Sequence, residues 1–124
     1  MSKYRDGAHA IVSLVKKEIG KTFSERVVEL ALMISRGRVA TYGALARAAG
    51  GGTIAAQSVT TILGKAYEAG ETRIPFHRIV YSGGRVWLDD AHRAKRLQLY
   101  KAENIALDTK DRILHFDDIV YEFR

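Results

Sequence analysis

The stretch GRVATYGALARAAGGGTIAAQSVTTILGKAYE, residues 37–68, decides the fold that we expect for this chain. Thr41 precedes a run of helix-forming residues, which predicts that its hydroxyl caps the start of a short helix. The triple glycine at residues 50–52 interrupts this pattern, and Thr53 is then placed to cap a second helix. Two short helices joined by a glycine turn are typical of a helix-turn-helix, although an ordinary helical hairpin has the same pattern.

Two further helices are predicted before this stretch. Apolar residues recur every three to four positions between residues 7 and 18, as on one face of a helix. Ser24 then precedes the apolar helix ERVVELALMIS, and Gly37 is placed to end it. We expect residues 1–22 to form a helical extension ahead of a domain that spans residues 23–124.

The second half of the chain combines strand and helix signals. RIPFHRIVYSGGRVWLDD, residues 73–90, holds a β-rich run, a Ser-Gly-Gly turn and a second run, which predicts a small hairpin. DDAHRAKRLQLYKAEN, residues 89–104, predicts an amphipathic helix with its basic residues in solvent. The residues predicted to face inward on this helix are Ala94, Leu97 and Tyr100.

The tail ILHFDDIVYEF, residues 113–123, is compatible with a strand pair or with a docking segment. Helical patterns outnumber strand patterns along the whole chain. The expected fold is therefore mainly α with a small β-hairpin, a single domain similar to a winged helix-turn-helix.

The composition and net charge indicate a soluble protein with a polyanionic partner. The 124 residues are 47% hydrophobic and 27% charged, as in one soluble globular domain. No apolar run approaches the roughly 18 residues that span a bilayer, and the start MSKYRDGAHAIV lacks the features of a secretory signal. We expect a cytoplasmic protein without a membrane partner. The net charge of +6 favours a polyanionic partner, of which nucleic acid is the commonest.

Several kinds of chemistry are disfavoured. The chain contains no cysteine, so disulfides, thiolate nucleophiles and cysteine metal sites are not expected. Its four histidines, at positions 9, 77, 92 and 115, show no pair at metal-ligand spacing. Its glycine runs do not match the phosphate-binding patterns GxxxxGK[ST] or GxGxxG. We therefore expect no metal, no cofactor and no nucleotide hydrolysis.

Four features, in order along the chain, carry a resemblance to a known family. They are GRVATYGALARAAG at 37–50, AAQSVTTIL at 55–63, IPFHRIV at 74–80 followed by SGG, and Glu103. The span from about Ser24 to Glu103 resembles the DNA-binding domain of the O6-alkylguanine-DNA alkyltransferases. It is more similar still to the alkyltransferase-like proteins, which lack the reactive cysteine. In the transferases the third feature reads Pro-Cys-His-Arg, and Phe76 stands in the place of that cysteine here.

The resemblance implies a non-enzymatic protein that binds O6-alkylguanine in duplex DNA, flips it into a pocket and flags it for nucleotide excision repair. Extruding a base costs a few kcal/mol, least for a damaged base, and stacking in the pocket offsets this cost. The implied partners are double-stranded DNA with alkylated guanine and nucleotide excision repair proteins. We expect a monomer.

The resemblance also implies two sets of site residues. The implied DNA-binding residues are Thr41, Tyr42, Ala55, Ala56, Gln57, Thr60, Lys65 and Ser82. The implied lesion pocket consists of Pro75, Phe76, His77, Arg78, Trp87 and Glu103.

Individual positions carry specific expectations. Tyr42 matches a tyrosine that helps to rotate the nucleotide out of the duplex, and Gln57 falls where the family has an intercalating arginine. Glutamine brings no charge and less stacking surface, a loss for which Arg47 or Lys65 could compensate. His77 and Glu103 match the relay that activates the cysteine, and without a thiol we expect them to be structural.

Other interpretations of the same residues remain. Phe76 could be an ordinary core aromatic, and Tyr42 and Gln57 ordinary surface residues. The family that this chain resembles has a glycine-rich lid after the hairpin, and VWLDDAH with Trp87 stands in its place here. This departure and Gln57 suggest an architectural DNA binder without lesion preference, and a module that recruits repair proteins is a further alternative. An enzyme in which His77 and Glu103 activate water is least supported, because no nucleophile, metal or oxyanion donor set is evident.

Overall fold

The computed structural model describes residues 22–52 and 55–123. Its helices are α1 (Phe23–Met33), α2 (Tyr42–Ala48), α3 (Ala56–Glu68), α4 (Arg93–Ala102) and α5 (Phe116–Ile119). Its strands are β1 (Ala40–Thr41) and β2 (Ile79–Val80), and its 3-10 turns are Phe76–Arg78 and Ser82–Gly84. The prediction of a mainly helical single domain with a small β element is confirmed. The helix predicted at residues 7–18 lies outside the described residues, as do residues 1–21 of the predicted extension 1–22.

Helix α1 begins two residues earlier than predicted, because Thr22 rather than Ser24 is its cap. Thr22 and Glu25 form a capping box: the Glu25 N–H donates to Thr22 Oγ1 at 3.2 Å, and the Thr22 N–H donates to Glu25 Oε1 at 3.0 Å. This reciprocal pair satisfies two backbone donors that the first turn would otherwise leave open. The helix start is therefore determined by a Thr-x-x-Glu pattern.

The sequence predicts one apolar face for this helix, formed by Val27, Leu30, Ala31 and Ile34, of which Leu30 is only half-buried. Val27, Ala31 and Ile34 are at most 1% exposed, and all three belong to one apolar cluster. The helix ends at Met33 and not at Gly37. Gly37, with φ at +82°, instead allows the turn that leads into β1.

The predicted helix pair is present as α2 and α3. Thr41 caps α2 as predicted, since its hydroxyl accepts a hydrogen bond from the Ala44 N–H at 3.0 Å. Helix α3 begins later than predicted, at Ala56 with Ala55 as its cap residue, while the predicted cap Thr53 lies outside the described residues. The short helices α2 and α3 pack on each other and on α1.

The glycine turn between α2 and α3 has a steric reason at Gly51. A methyl group on this residue would lie 2.5 Å from the Cβ of Ala55 and 2.8 Å from Cε1 of Phe23. Such distances are far below van der Waals contact, so only glycine lets the start of α3 approach α1 this closely.

The two strands separate two apolar clusters. Ala40 of β1 and Ile79 of β2 face the cluster that α1, α2 and α3 form. Their neighbours Val39 and Val80 point to the opposite side, as successive strand residues do, and join the second cluster. The other buried members of this second cluster are Val86, Tyr100, Ile105 and Ile113.

The small sheet is a parallel pair and not the predicted hairpin. The Ser-Gly-Gly turn at 82–84 reverses the chain as expected, with the Gly84 N–H donating to the Tyr81 carbonyl at 3.0 Å. Beyond the turn, the Arg85 carbonyl accepts a hydrogen bond from the Tyr81 N–H at 2.9 Å, which closes the turn. Arg85 then bridges to Arg112 in antiparallel fashion, and strand β2 takes β1 as its partner. Strand β2 is buried on both faces and pairs with β1, an arrangement that parallel strands favour.

The tail docks beside β1. Val120 bridges to Val39 in parallel, and the Tyr121 N–H donates to the Val39 carbonyl at 2.7 Å. The docking interpretation of this segment is therefore the observed one, with the short α5 placed just before it.

The inward face predicted for α4 is wrong at two of three positions. Tyr100 is buried as predicted, but Ala94 is exposed and Leu97 is 38% exposed. The buried face instead follows Arg96, Tyr100 and Glu103, spaced by four and three residues. The pattern of apolar residues alone misplaced this face because two of its members are charged.

Replacing Gly84 by alanine should destabilise the fold by about 3 kcal/mol. Its φ is +86°, where an L side chain is strained, and a methyl group would lie 2.9 Å from the Phe116 ring. Urea unfolding followed by circular dichroism measures the effect. The matched control is Gly64→Ala within α3, where a methyl group meets no atom within 4 Å, and it should stabilise by about 0.5–1 kcal/mol. An unchanged midpoint for Gly84→Ala would contradict this description of the turn.

Candidate nucleic-acid interface

The outer face of α3 combines small and polar residues. Ala55 and Ala56 are half-buried at its start, while Gln57, Thr60 and Lys65 are exposed. No side chain caps this helix start, and Lys65 is the basic residue of its last turn. Small residues allow a close approach to a nucleic-acid backbone, and the exposed polar groups can hydrogen-bond to it.

A shallow cavity of about 300 Å³ lies at the turn between α2 and α3. Its lining is formed by Gly43, Ala46, Arg47, Gly51, Gly52 and Ala56. Arg47 is exposed and is the charged side chain of this lining. The helix pair therefore presents one cation next to a surface of small residues.

A second cavity, of about 290 Å³, lies beside the start of α2, and we call it the aromatic cavity. Its lining consists of Tyr42, Thr60, Phe76, Ile79, Tyr81, Val86, Trp87, Arg96 and Tyr100. Five of these nine side chains are aromatic. Four were predicted as site residues from the sequence, namely Tyr42, Thr60, Phe76 and Trp87, although they come from four separate segments. An apolar cavity with a few polar groups is the usual form of a small-molecule or base site.

Aromatic contacts shape the entrance to the aromatic cavity. The rings of Tyr42 and Tyr81 lie 5.4 Å apart at an angle of 43°, and the Arg85 guanidinium lies 5.4 Å from the Tyr81 centroid. Burial raises the pKa of Tyr42 above its usual value, so its phenol is neutral at pH 7. Trp87 is 57% exposed, which leaves most of this large ring available for a ligand.

Phe76 opens the first 3-10 turn, directly after the buried Pro75. Its ring is half-buried and contacts Tyr67 edge-on, with ring centroids 5.8 Å apart. It lines the aromatic cavity on one side. On the other side it lines a larger cavity of about 620 Å³. Phe76 is therefore exposed to clefts on both sides and is not enclosed in the core.

The larger cavity carries mostly basic groups, and we call it the basic cavity. Its basic lining residues are Arg73, His77, Arg78, His92, Lys95 and Arg96. Its remaining lining is Tyr67, Thr72, Ile74, Pro75, Phe76 and Leu99. No carboxylate contributes to this lining among the residues that the structure describes.

Beneath the turn that carries Phe76, one buried carboxylate joins several segments. Glu103 Oε1 accepts from the Gly37 N–H at 2.8 Å and from Arg78 Nε at 3.0 Å. Its Oε2 lies 2.9 Å from Arg78 Nη2 and 2.5 Å from His77 Nε2. Arg78 also donates from Nη1 to the Ile34 carbonyl at 2.9 Å. Arg78, which the resemblance places in the lesion pocket, thus forms an internal salt bridge with Glu103.

Electrostatics within this cluster determine its protonation. Burial alone would raise the pKa of Glu103, but the hydrogen bonds from Arg78, the Gly37 N–H and His77 outweigh it and lower the pKa to about 2. Burial lowers the pKa of His77 in spite of the neighbouring carboxylate, so the ring is neutral at pH 7. Because an ionised carboxylate only accepts, the hydrogen of His77 resides on Nε2.

Tyr100 completes the cluster from α4. Its hydroxyl donates to the His77 carbonyl at 2.6 Å, and burial raises its pKa to about 12. Among the described residues, no buried side-chain nitrogen or oxygen lacks a partner. Such a fully satisfied network holds a segment in one conformation. These hydrogen bonds hold the 3-10 turn Phe76–Arg78 in place beneath the Phe76 ring.

The cavities bring together only part of the predicted site. Pro75, His77 and Arg78 line the basic cavity, while Glu103 lies beneath it. Gln57, Lys65 and Ser82 are exposed outside all three cavities, Ser82 on the second 3-10 turn. Any contact they make with DNA therefore belongs to the outer surface.

Sequence reasoning missed Tyr81, Arg96 and Tyr100 as lining residues of the aromatic cavity. Arg96 was assigned to a solvated charged face together with Arg93, but it is half-buried, whereas Arg93 is exposed and pairs with Asp111 at 3.1 Å. The spacing held a signal: Arg96 precedes the buried Tyr100 by four residues, so both lie on one helix face.

Residues 22–52 and 55–123 contain neither a metal-binding cluster nor a membrane-spanning helix. Histidine and acidic side chains nowhere gather into a group able to hold a metal ion there. The helices of this part of the chain are too short or too polar to cross a bilayer.

Comparison with known proteins identifies the fold. The family model for the 6-O-methylguanine DNA methyltransferase DNA-binding domain matches residues 22–105. The fold is similar to that of S. pombe Atl1 in complex with damaged DNA containing O6-carboxymethylguanine, with 21% identity, a TM-score of 0.58, and 81% of this chain and 94% of that chain covered. It is similar to S. pombe ATL in complex with DNA, with 22% identity, a TM-score of 0.59 and the same coverage of 81% and 94%. No curated protein sequence matches this chain at a significant level.

Glu103→Gln should reduce the free energy of unfolding by about 3 kcal/mol at pH 7, because it leaves the guanidinium of Arg78 without its buried counter-ion. The wild-type carboxylate has a folded-state pKa of about 2, below the ordinary 4.5. Its stabilising contribution is therefore complete at neutral pH and is lost as the pH falls from about 4.5 toward about 2.

Urea titrations between pH 7 and pH 3 measure both effects. The variant should lose less stability than the wild type over this range, because it lacks the group that is protonated. Parallel pH profiles for the two proteins would contradict the proposed charge state. Asp117→Asn, an exposed carboxylate on α5, is the matched control and should leave the profile unchanged.

Proposed function

This chain belongs to the family of the 6-O-methylguanine DNA methyltransferase DNA-binding domain, and we propose that it is a non-enzymatic protein of the alkyltransferase-like kind. It binds O6-alkylguanine in duplex DNA, flips the modified base into the aromatic cavity and holds it there. The complex then flags the lesion for nucleotide excision repair proteins. The partner is double-stranded DNA, and the chain acts as a monomer without a cofactor.

One observation carries the proposal: the ring of Phe76 lines a base-sized aromatic cavity at the motif position where the transferases have their cysteine. A phenyl ring has no lone pair with which to accept an alkyl group, and the chain contains no cysteine at all. The same ring offers stacking surface to an aromatic base. The site is therefore suited to binding and not to alkyl transfer.

The surroundings of the cavity support base extrusion. Tyr42 lies at the start of α2 and lines the cavity together with Thr60 of α3, where it can contact a rotating nucleotide. Stacking against aromatic side chains contributes roughly 1–3 kcal/mol per base, which offsets the few kcal/mol of extrusion. The similar fold of S. pombe Atl1, in a complex with DNA that contains O6-carboxymethylguanine, is consistent with this use of the fold.

The cluster around Glu103 argues against hydrolysis of the lesion. A carboxylate whose pKa is about 2 is a weak base, and its oxygens are already occupied by Arg78, His77 and the Gly37 N–H. His77 is hydrogen-bonded through Nε2 and buried. We therefore assign the pair to the support of the turn and not to the activation of water.

The competing function is architectural DNA binding without lesion preference. It is favoured by Gln57, which is exposed and uncharged at the start of α3, where the family has an intercalating arginine. An architectural protein would bind modified and unmodified duplexes equally and with strong salt dependence. The two functions are therefore separable in a single titration.

The wild-type protein should bind a duplex with O6-methylguanine at least tenfold more tightly than its unmodified twin at fixed salt, measured by fluorescence anisotropy. Phe76→Ala should reduce affinity for the modified duplex about tenfold, because it removes one stacking surface. Affinity for the unmodified duplex should stay within twofold. Leu97→Ala, an exposed apolar residue that lines neither the aromatic nor the basic cavity, is the control. Equal wild-type affinities for the two duplexes would favour the architectural alternative.

Gln57→Arg should strengthen binding of both duplexes about tenfold and steepen the salt dependence, since one added cation contributes about one unit to the log–log slope. Tyr42→Ala should instead weaken binding of the modified duplex selectively. Anisotropy titrations at several salt concentrations measure both variants. An unchanged salt slope for Gln57→Arg would show that position 57 does not face DNA.

A further inference from the structure

We propose that Arg96, together with the basic cavity behind Phe76, forms a subsite for a negatively charged O6 substituent. Lesions whose substituent ends in a carboxylate are then bound in preference to uncharged lesions of the same size. This inference rests on the proposed function, because it concerns the part of the lesion that projects beyond the flipped base.

Arg96 lies between the aromatic cavity and the basic cavity. Among the described residues, Phe76 and Arg96 are the two whose side chains line both the aromatic and the basic cavity. A substituent that extends from a base in the aromatic cavity toward the larger space must pass between or beside them. The guanidinium of Arg96 is thus within reach of a group two or three bonds away from the base.

Among the described residues, the basic cavity contains both paired and unpaired cations. Arg73 and Arg78 are already paired there, with Glu71 and Glu103, each at 2.9 Å. Across residues 22–52 and 55–123, neither Lys95 nor Arg96 forms an ion pair with a carboxylate. Two cations therefore face this cavity without a counter-ion.

The surroundings of Arg96 explain why it has none. The carboxylate of Asp89 is close enough to feel its charge, but that carboxylate is occupied by the backbone and ring of His92 at 2.8 Å. The other titratable groups that sense the charge of Arg96 are the phenols of Tyr42 and Tyr100 and the imidazole of His77, and all three are neutral at pH 7. A half-buried arginine whose acidic neighbour is already hydrogen-bonded to another residue can donate hydrogen bonds to an incoming anion.

The shape of the guanidinium favours a carboxylate. Its planar fork pairs with two carboxylate oxygens at once, and such charge-assisted bonds are about twice as strong as neutral ones. Partial burial beside Phe76 and Tyr100 reduces the screening of this pair by water. A saturated substituent in the same place gains no such interaction and leaves the cation unpaired.

The test compares three duplexes that differ only at one guanine: O6-carboxymethylguanine, O6-isobutylguanine and unmodified guanine. The first two substituents have the same branched shape and number of heavy atoms, and only the first is charged. The proteins are the wild type, Arg96→Gln, Arg96→Lys and the control Arg93→Gln. Arg93 lies on the same helix and carries the same charge, but it is paired with Asp111 and lines neither the aromatic nor the basic cavity. Thermal unfolding verifies that each variant is folded.

We expect the wild type to bind the carboxymethyl duplex about tenfold more tightly than the isobutyl duplex. The ratio should fall to about one in Arg96→Gln, persist in part in Arg96→Lys and stay unchanged in Arg93→Gln. Equal wild-type affinities for the two modified duplexes, both above guanine, would overturn the subsite and leave the proposed function intact.

Three other outcomes are decisive as well. Equal binding of all three duplexes would remove the proposed function and the subsite with it. A ratio reduced equally in Arg93→Gln and Arg96→Gln would attribute the preference to long-range charge and overturn the subsite. Uniform weakening of all three duplexes in Arg96→Gln, with the ratio preserved, would identify Arg96 as a phosphate contact instead.

Discussion

The buried carboxylate of Glu103 is the interaction on which the rest of the structure depends. Its two oxygens accept hydrogen bonds from the loop after α1, through the Gly37 N–H, and from the turn after Pro75, through His77 and Arg78. It lies at the end of α4, and its side chain is only 3% exposed. An unpaired charge at such a depth is costly, so the three segments must meet in one arrangement for the fold to form. The consequence is a turn whose position is fixed from below while Phe76 projects from its upper side.

The site lies where the two apolar clusters meet. Phe76 packs against the cluster of α1 to α3, whereas Tyr100 and Val86 belong to the cluster beyond the strands. The aromatic cavity is lined by members of both. Its lining is uncharged apart from Arg96, and the other cations of the basic cavity lie on the far side of Phe76. The proposed base stacking and the proposed charge recognition therefore concern different sides of the same phenyl ring.

The sequence was sufficient for the local elements and insufficient for the pairings between them. The cap at Thr41, the glycine break and the Ser-Gly-Gly turn follow from short-range rules and appear as predicted. The capping box of Thr22 could also have been predicted, since Thr-x-x-Glu is a local pattern. Ser24 was predicted as the cap instead because it directly precedes the apolar run. The parallel pairing of β1 with β2 depends on residues nearly forty positions apart, and no local signal distinguishes it from a hairpin.

The same division applies to the site. The position of Phe76 beside a cleft could be predicted from its motif, and four lining residues of the aromatic cavity were named from the sequence. Arg96 could not be identified by composition, because a basic residue on an amphipathic helix is usually solvated. Arg96 lines the aromatic cavity because α4 packs against the 3-10 turn Phe76–Arg78.

The division into two clusters also has a consequence for the order of assembly. Helices α1, α2 and α3 come from one continuous stretch, so their contacts close short loops. The second cluster joins Val39 to residues as distant as Ile113, and such long-range contacts form late in folding. We expect the three helices to consolidate first and to serve as a template for the remaining segments. Hydrogen exchange should then be slowest in α1 and α3, and the cavity beside Phe76 should be the last part of the molecule to take shape.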